Sequence, residues 1–284
     1  MSIENLNTKC PPTWCPGCGN FSIWNELKRA IDELGIPAHK ILIVYGIGCS
    51  GNMYNTIKTY GWHSLHGRAL PTAMGAKLAN KDLTVIVVAG DGDGLGEGMG
   101  HFIHSLRANV NITYLIHENK VYGLTTGQSA PTSDKGFVTK STPEGLIEVP
   151  INPVSLAMTV GGGFVARGYV GKPQQLKELI KQGIQHKGFS LVDILQPCVT
   201  FNKINTYQYY MDKVYDLQAE KHPVEDFEQA YKKSREWGPK IPLGVFYQDA
   251  REAYEDDLPQ ETGKAIASRP VVTRNISRLI KEFI

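Results

Sequence analysis

"VIVVAGDGDGLGEGMGHF", residues 85–102, runs an apolar stretch straight into a turn that sets Asp91 and Asp93 among glycines. An unbroken apolar run that ends at a turn is the pattern of a strand buried on both faces. Beyond the turn, Met99, Phe102, Ile103 and Leu106 fall on one face of a helix near 97–108. Helix-like and strand-like segments alternate on both sides of this stretch, from Phe21 to Leu195, without an internal repeat. Ile23, Leu27, Ile31 and Leu34 mark an earlier helix stopped by Gly35, followed by the strand "ILIVY" at 41–45. A helix around 70–80 leads into the strand at 84–89. "ITYLIH" at 112–117, a strand near 163–168, a helix from Pro173 to about His186 and "SLVDIL" at 190–195 continue the alternation. The expected fold class is α/β, a parallel sheet flanked by helices.

Residues 1–200 are expected to form this domain. Within them, 120–150 has no clear period, and a loop of that length in a compact domain usually binds or covers something. From Phe201 the chain becomes polar and holds seven of its 13 tyrosines, with one helix-like piece from Pro223 to Trp237. Residues 201–284 are expected to be an extended C-terminal arm, either a partner-contact region or a loosely packed tail.

Charge and hydropathy narrow the function. The 284 residues carry 30 Lys and Arg against 28 Asp and Glu, a net charge of +2 without a dense basic cluster, so nucleic acid is not an expected partner. The longest apolar runs fall far short of the roughly 20 residues a membrane span needs. "MSIENLNTK" has no apolar signal segment, which makes a cytoplasmic location the simplest expectation. Five cysteines in such a chain point to metal ligation, redox chemistry or burial rather than disulfides.

Three ligands compete for the glycine turn. No frame from Gly90 onward completes G-x-G-x-x-G, which weakens a dinucleotide site. An EF-hand loop from Asp91 would place Leu95 and Phe102 where oxygen ligands belong. The third ligand is a magnesium diphosphate, whose phosphates approach glycine N–H groups at a helix start while one or two protein oxygens complete the octahedron. Ligands of open α/β sheets collect at the carboxyl edge. Asn119, just past the next strand, should therefore meet Asp91 there, with the Val121 carbonyl as a further hard ligand. Cys15 and Cys18 form C-x-x-C before the first helix, while Cys49 and Cys198 follow strands whose ends reach the same edge. Four thiolates suit structural zinc or an iron–sulfur cluster. Cys10, Cys15 and Cys18 also match the start of a plant-type 2Fe-2S spacing.

"GDGDGLGEGMGHFIHSLRANVNITYLIHENKVYGLTTGQ" resembles the thiamine-diphosphate motif of β subunits of 2-oxoacid:ferredoxin oxidoreductases. The resemblance extends through "PPTWCPGCGN", "GIGCSG", "HSLHGRALPTAMGAKLAN", "LVDILQPCVTFNKINTY" and "WGPKIPLGVFY". It implies thiamine diphosphate and Mg²⁺ as cofactors, one 4Fe-4S cluster on Cys15, Cys18, Cys49 and Cys198, and no role for Cys10. It implies His66 as a catalytic residue facing cofactor or substrate. Gly48, Cys49, Ser50 and Gly67, then Gly90, Gly92 and Asp93, then Gly123, Leu124 and Thr125, are expected to line the cofactor. The implied reaction is coenzyme A-dependent oxidative decarboxylation of a 2-oxoacid, with electrons passed to ferredoxin. A separate α subunit would carry the rest of the thiamine site in an αβ heterodimer or its dimer. Thr126 departs from the lysine in the family's G-L-T-K-G-Q. The rival readings are a non-redox thiamine-dependent decarboxylase or synthase subunit with structural zinc, and a non-catalytic zinc-stabilised α/β binding module. His101 and His104, at i and i+3, are expected on an ordinary helix face. The 2-oxoacid itself stays open.

Overall fold

The computed structural model describes residues 3–259, 263–271 and 275–284. In chain order its main elements are α1 (Asn20–Glu33), β1 (Ile41–Tyr45), β2 (Tyr60–His63), α2 (Ala69–Ala79), β3 (Thr84–Gly90), α3 (Met99–Ala108), β4 (Thr113–Glu118), α4 (Pro153–Thr159), β5 (Phe164–Tyr169), α5 (Pro173–Gln185), β6 (Ser190–Leu195), α6 (Tyr207–Met211), β7 (Val214–Asp216), α7 (Phe227–Ser234), β8 (Ile241–Gln248) and α8 (Ser277–Lys281). One sheet joins all eight strands in the order β2-β1-β3-β4-β6-β5-β8-β7. The pairings from β2 through β5 are parallel, and β8 runs antiparallel to β5.

Both faces of the sheet are packed, which is why β1, β4 and β6 are buried along their whole length. On one face Ile23, Leu27 and Ile31 of α1 meet Leu176 and Ile180 of α5 over Ile43, Ile86 and Val192. On the other, Ala73 of α2 and Phe102 and Leu106 of α3 lie over Val44, Val87 and Tyr114. Of the apolar stripes read from the sequence, Ile23, Leu27, Ile31, Phe102 and Leu106 are buried, while Leu34, Met99 and Ile103 are half-buried. Among the described residues no helix is long and apolar enough to cross a membrane.

The expected boundary at 200 needs correction. Residues 207–248 add β7 and β8 to the same sheet and place Tyr210, Leu217, Ala230 and Phe246 in the core. The helix expected over Pro223–Trp237 is confined to Phe227–Ser234, capped by the Asp226 carboxylate, which accepts from the Gln229 N–H. β8 escapes a sequence reading because Pro242 and Gly244 interrupt its pattern, and both residues normally argue against an internal strand. Here Gly244 takes φ +119°, and the β5 register shifts between Val165 and Ala166. An exposed tail begins later: in α8, Leu279 is 56% and Ile280 47% exposed.

Candidate active site

Three parallel strands deliver their carboxyl ends to one place. Gly48, Cys49 and Ser50 follow β1, Asp91, Gly92 and Asp93 follow β3, and Asn119 and Val121 follow β4. Together with His66, His117, Tyr122 and Gly123 to Thr125 they line a cavity of about 80 Å³. Every cofactor-lining residue expected from sequence is at this cavity except Gly67. That glycine sits one layer back, where its N–H donates to Asp93 Oδ1 at 2.7 Å. Its φ of +68° and the Glu97 backbone, 2.4 Å from where a Cβ would lie, explain why no other residue occupies the position.

Asp91 is 1% exposed. Its Oδ1 accepts from the Gly92 N–H at 2.9 Å, and Oδ2 accepts from the Lys120 N–H at 2.7 Å and the Thr132 hydroxyl at 2.5 Å. Burial nevertheless pushes its pKa up to about 6 against those donors. The result is a carboxylate ionised at neutral pH, desolvated and facing a cavity, which fits a cation as partner. Asn119 is aimed from both ends: Nδ2 donates to Gln196 Oε1 at 3.1 Å, and Oδ1 accepts from the Val121 N–H at 3.1 Å. Asp91 Oδ1 and Asn119 Oδ1 each accept one of these bonds and keep a lone pair, so the oxygens fit a hard metal ion. Three buried polar atoms of residues at the cavity have no partner among the described residues, Asp93 Oδ2, Ser50 Oγ and His117 Nε2, and the last two are a hydroxyl and a ring nitrogen. Burial drives His117 down to about 3, so the ring is neutral. With Nδ1 placed 2.7 Å from Asn20 Oδ1 as its donor, Nε2 is left as an acceptor. A polyoxyanion with hydroxyl or amine groups nearby would satisfy Ser50 Oγ and His117 Nε2.

The glycines act differently from the expectation that they clear room for phosphates. A Cβ on Gly92 would lie 2.5 Å from the Tyr122 ring, on Gly94 1.8 Å from Tyr114 Oη, and on Gly96 2.4 Å from Tyr122 Oη. Two tyrosines therefore fill the space beside the turn, and Tyr122 Oη donates to the Gly92 carbonyl at 2.8 Å. The turn itself, Gly92–Glu97, is one π-helical piece between β3 and α3, so α3 starts later than the expected 97. Asp93 has a supporting task. Its Oδ1 also accepts from His66 Nδ1 at 3.0 Å, which turns the half-exposed imidazole toward the cavity. The long loop is folded rather than free. Thr132 and Ser133 are fully buried, and Lys120 Nζ donates to the Thr132 carbonyl at 2.8 Å. Sequence reading missed Thr132, Tyr122, His117 and Gln196. Only the aperiodic length of 120–150 hinted at the first two.

A second cavity, about 220 Å³, adjoins the first and shares Cys49, Asn119, Gly123 and Leu124 with it. Cys15, Cys18, Cys49 and Cys198 all line it, with no Asp, Glu, His, Lys or Arg among the lining residues. A Cβ built on Gly123 would be 3.6 Å from the sulfurs of both Cys49 and Cys198. The C-x-x-C turn is closed by the Cys18 N–H donating to the Cys15 carbonyl at 3.0 Å. Trp14 Nε1 ties this turn to β1 by donating to the Cys49 carbonyl at 2.6 Å. Gln196 bridges the two cavities, with Oε1 on Asn119 and Nε2 3.5 Å from Cys18 Sγ. Among the described residues no three Cys, His, Asp or Glu side chains close on a single metal position. Burial raises the Cys18 thiol to about 12 and the Cys49 thiol to about 11. The donor set is all sulfur and surrounds a void, which fits a polynuclear iron–sulfur group better than one zinc ion at about 2.3 Å from each ligand. Cys10 is exposed and not at this cavity. His101 and His104 are on α3, away from both cavities.

Residues 46–194 match the family described as thiamine pyrophosphate enzyme, C-terminal TPP binding domain, and residues 198–262 match the C-terminal family of the pyruvate ferredoxin oxidoreductase beta subunit. A 2-oxoacid:ferredoxin oxidoreductase subunit beta of Saccharolobus solfataricus is 46% identical over 270 residues, covering 90% of this chain and 88% of the relative. The chain belongs to the β subunits of the 2-oxoacid:ferredoxin oxidoreductases. Subunit beta of 2-oxoacid:ferredoxin oxidoreductase 2 from Aeropyrum pernix is 45% identical over 95% of this chain and 91% of its own length. A solved 2-oxoglutarate:ferredoxin oxidoreductase of Magnetococcus marinus, with 2-oxoglutarate, coenzyme A and succinyl-CoA bound, superposes with a TM-score of 0.91 at 39% identity, over 99% of this chain and 96% of that one. This β subunit thus has the family's thiamine-binding fold, and the rival of a non-catalytic module falls away.

Proposed function

We propose that this β subunit, in a cytosolic complex with an α subunit, carries out coenzyme A-dependent oxidative decarboxylation of a 2-oxoacid and passes the electrons through a 4Fe-4S cluster to ferredoxin. The observation that carries the reading is the pair of adjoining cavities, one with an oxygen-rich cation and diphosphate chemistry and the other with four thiols. Asp91, Asn119 and the Val121 carbonyl would hold Mg²⁺. Ser50 would donate its hydroxyl to a phosphate oxygen, and Cys15, Cys18, Cys49 and Cys198 would hold the cluster. Thiamine diphosphate, when bound, supplies the electron sink for decarboxylation. The chain's own residues bind, orient and handle protons. Asp93 accepts from His66 Nδ1, which fixes the tautomer that leaves His66 Nε2 to exchange a proton at the open side of the cavity. Neutral His117 offers Nε2 as an acceptor without adding charge. The contacts from Asn119 through Gln196 to Cys18 join the two cavities, and residues holding a group in each would belong to one hydrogen-bonded unit.

The cavity beside His66 would take the diphosphate end of the cofactor, and thiamine activation usually also needs a carboxylate at the far ring of the cofactor. That carboxylate would come from the α subunit, as the name "subunit beta" of the relatives supports. Expressed alone and reconstituted with iron, sulfide, Mg²⁺ and thiamine diphosphate, the chain is expected to be inactive in coenzyme A-dependent viologen reduction with any 2-oxoacid. Adding the α subunit should restore turnover. Activity alone equal to that of the complex would refute the split site.

A further inference from the structure

A third cavity, about 350 Å³ and sharing no lining residue with the other two, lies where the carboxyl ends of β4 and β5 meet α4. Arg167, fully buried, reaches its wall. Two of its three donor positions are used: Nε donates to Asp193 Oδ2 at 2.8 Å and Nη2 to Asn152 Oδ1 at 3.2 Å. Nη1 has no partner among the described residues, although it is fully desolvated. A buried cationic N–H without an acceptor is costly, and native proteins seldom keep one without a use for it. The guanidinium is held in place by the rings of Trp237 and Phe246, 5.1 and 5.5 Å away. Arg235, on the exposed side of the same cavity, forms no ion pair among the described residues. Lys120, by contrast, is already engaged by Asp134 and Glu118. The free donors are thus two guanidiniums, one deep and one at the rim. The walls between them are mostly apolar, from Val149 and Ile151 to the indole of Trp237, with Asn152, Ser155 and Glu118, the last facing Lys120 at 3.4 Å, as their polar members. The volume lies within the range of small-molecule sites, which are mostly apolar with a few placed polar groups.

We propose that this cavity binds a small organic monocarboxylate. Its carboxylate takes the free Arg167 Nη1, with Arg235 supplying long-range attraction at the rim, and its apolar body lies against Trp237. A multiply charged oxyanion suits it less, because Arg167 Nη1 is the one buried donor of the lining without a partner among the described residues and the acidic Glu118 stands on the same wall.

The test is calorimetric titration of the αβ holo complex with 4-hydroxyphenylacetate, its neutral isostere 4-hydroxyphenylacetamide and inorganic phosphate. The carboxylate should bind at least about tenfold more tightly than the amide or phosphate, the difference expected of one charge-assisted hydrogen bond. Arg235→Glu, a surface change that leaves the buried pair intact, should weaken the carboxylate by about tenfold and leave the amide unaffected. Arg167→Lys, which keeps the charge and removes the fork, should abolish the preference for the carboxylate; its melting profile shows whether it folds, and Arg235→Glu decides the matter if it does not. Equal binding of acid and amide, phosphate binding as well as the carboxylate, or no binding of any probe would overturn the proposal.

Discussion

Asp91 and Thr132 are 41 residues apart in sequence and 2.5 Å apart in space, and that contact shows what a single residue can and cannot announce. Asp91 and Asn119 were legible because their chemistry and their positions past two strand ends coincide. Thr132 was not, because a threonine in an aperiodic loop carries no local signal and acts only through tertiary contact. Its hydroxyl orients the Asp91 carboxylate and stabilises its charged form. Thr132→Val, close in volume, should therefore weaken Mg²⁺-dependent thiamine diphosphate binding by about 10- to 100-fold, the usual effect of losing a partner that orients a metal ligand. Titration calorimetry at saturating Mg²⁺ reads this, and an unchanged affinity would deny Thr132 the role. The glycine positions teach the reverse lesson. They were recognised as necessary, but the neighbour they make room for is aromatic.

At the scale of elements, the π-helical turn Gly92–Glu97 is held by close contact with Tyr114 from β4 and Tyr122 from the next loop. A methyl group on Gly94 would collide with the Tyr114 hydroxyl, so Gly94→Ala should cost about 1–3 kcal/mol, the range for overpacking a dense site. Removing the obstacle with Tyr114→Phe in the same chain should recover part of that loss in a denaturation experiment, whereas additive losses would point to backbone strain instead. Helix α1 offers a second test. Lys28 is 1% exposed, donates to Asn7 Oδ1 at 2.7 Å and lies 3.0 Å from the centre of the Trp24 ring. Burial lowers its pKa to about 8. Between that value and the ordinary 10.5 the unfolded chain holds a proton that the folded one has released, so stability rises with pH through this window. Below it the full cost of burying the charge is present. Lys28→Met should accordingly raise the melting temperature at pH 7, by an amount of order 1 kcal/mol in stability, and the advantage should shrink as pH rises beyond 8. A variant less stable at pH 7 would show that the Asn7 bond and the Trp24 ring outweigh the desolvation. Periodicity exposed α1, α3 and α5 because each buries one stripe. It missed β8, where a proline and a glycine sit in a strand covered on both sides.

For the whole molecule, the sheet order explains why so much of the site could be read before the fold was known. Strands β1, β3 and β4 are neighbours and parallel, so residues just past each of them must share one edge. Cys49, Asp91 and Asn119 are such residues. What the alternation could not give is the assignment of 207–248 to the same sheet, because those strands join by antiparallel and edge pairing after the repeating pattern has ended. The central claim is that the oxygen-rich cavity and the four-cysteine cavity form one electron-transfer unit. Its most direct test is the visible absorption of the anaerobically purified αβ complex, followed after addition of a 2-oxoacid and coenzyme A and then of dithionite. The native complex should be brown, hold iron and sulfide, and bleach on adding substrate. Asp91→Ala should keep the colour, fail to bleach with substrate and still bleach with dithionite; Cys198→Ser should lose the colour while Cys10→Ser keeps it. A colourless complex holding zinc, or an Asp91→Ala complex that substrate bleaches as fast as the native one, would contradict the account.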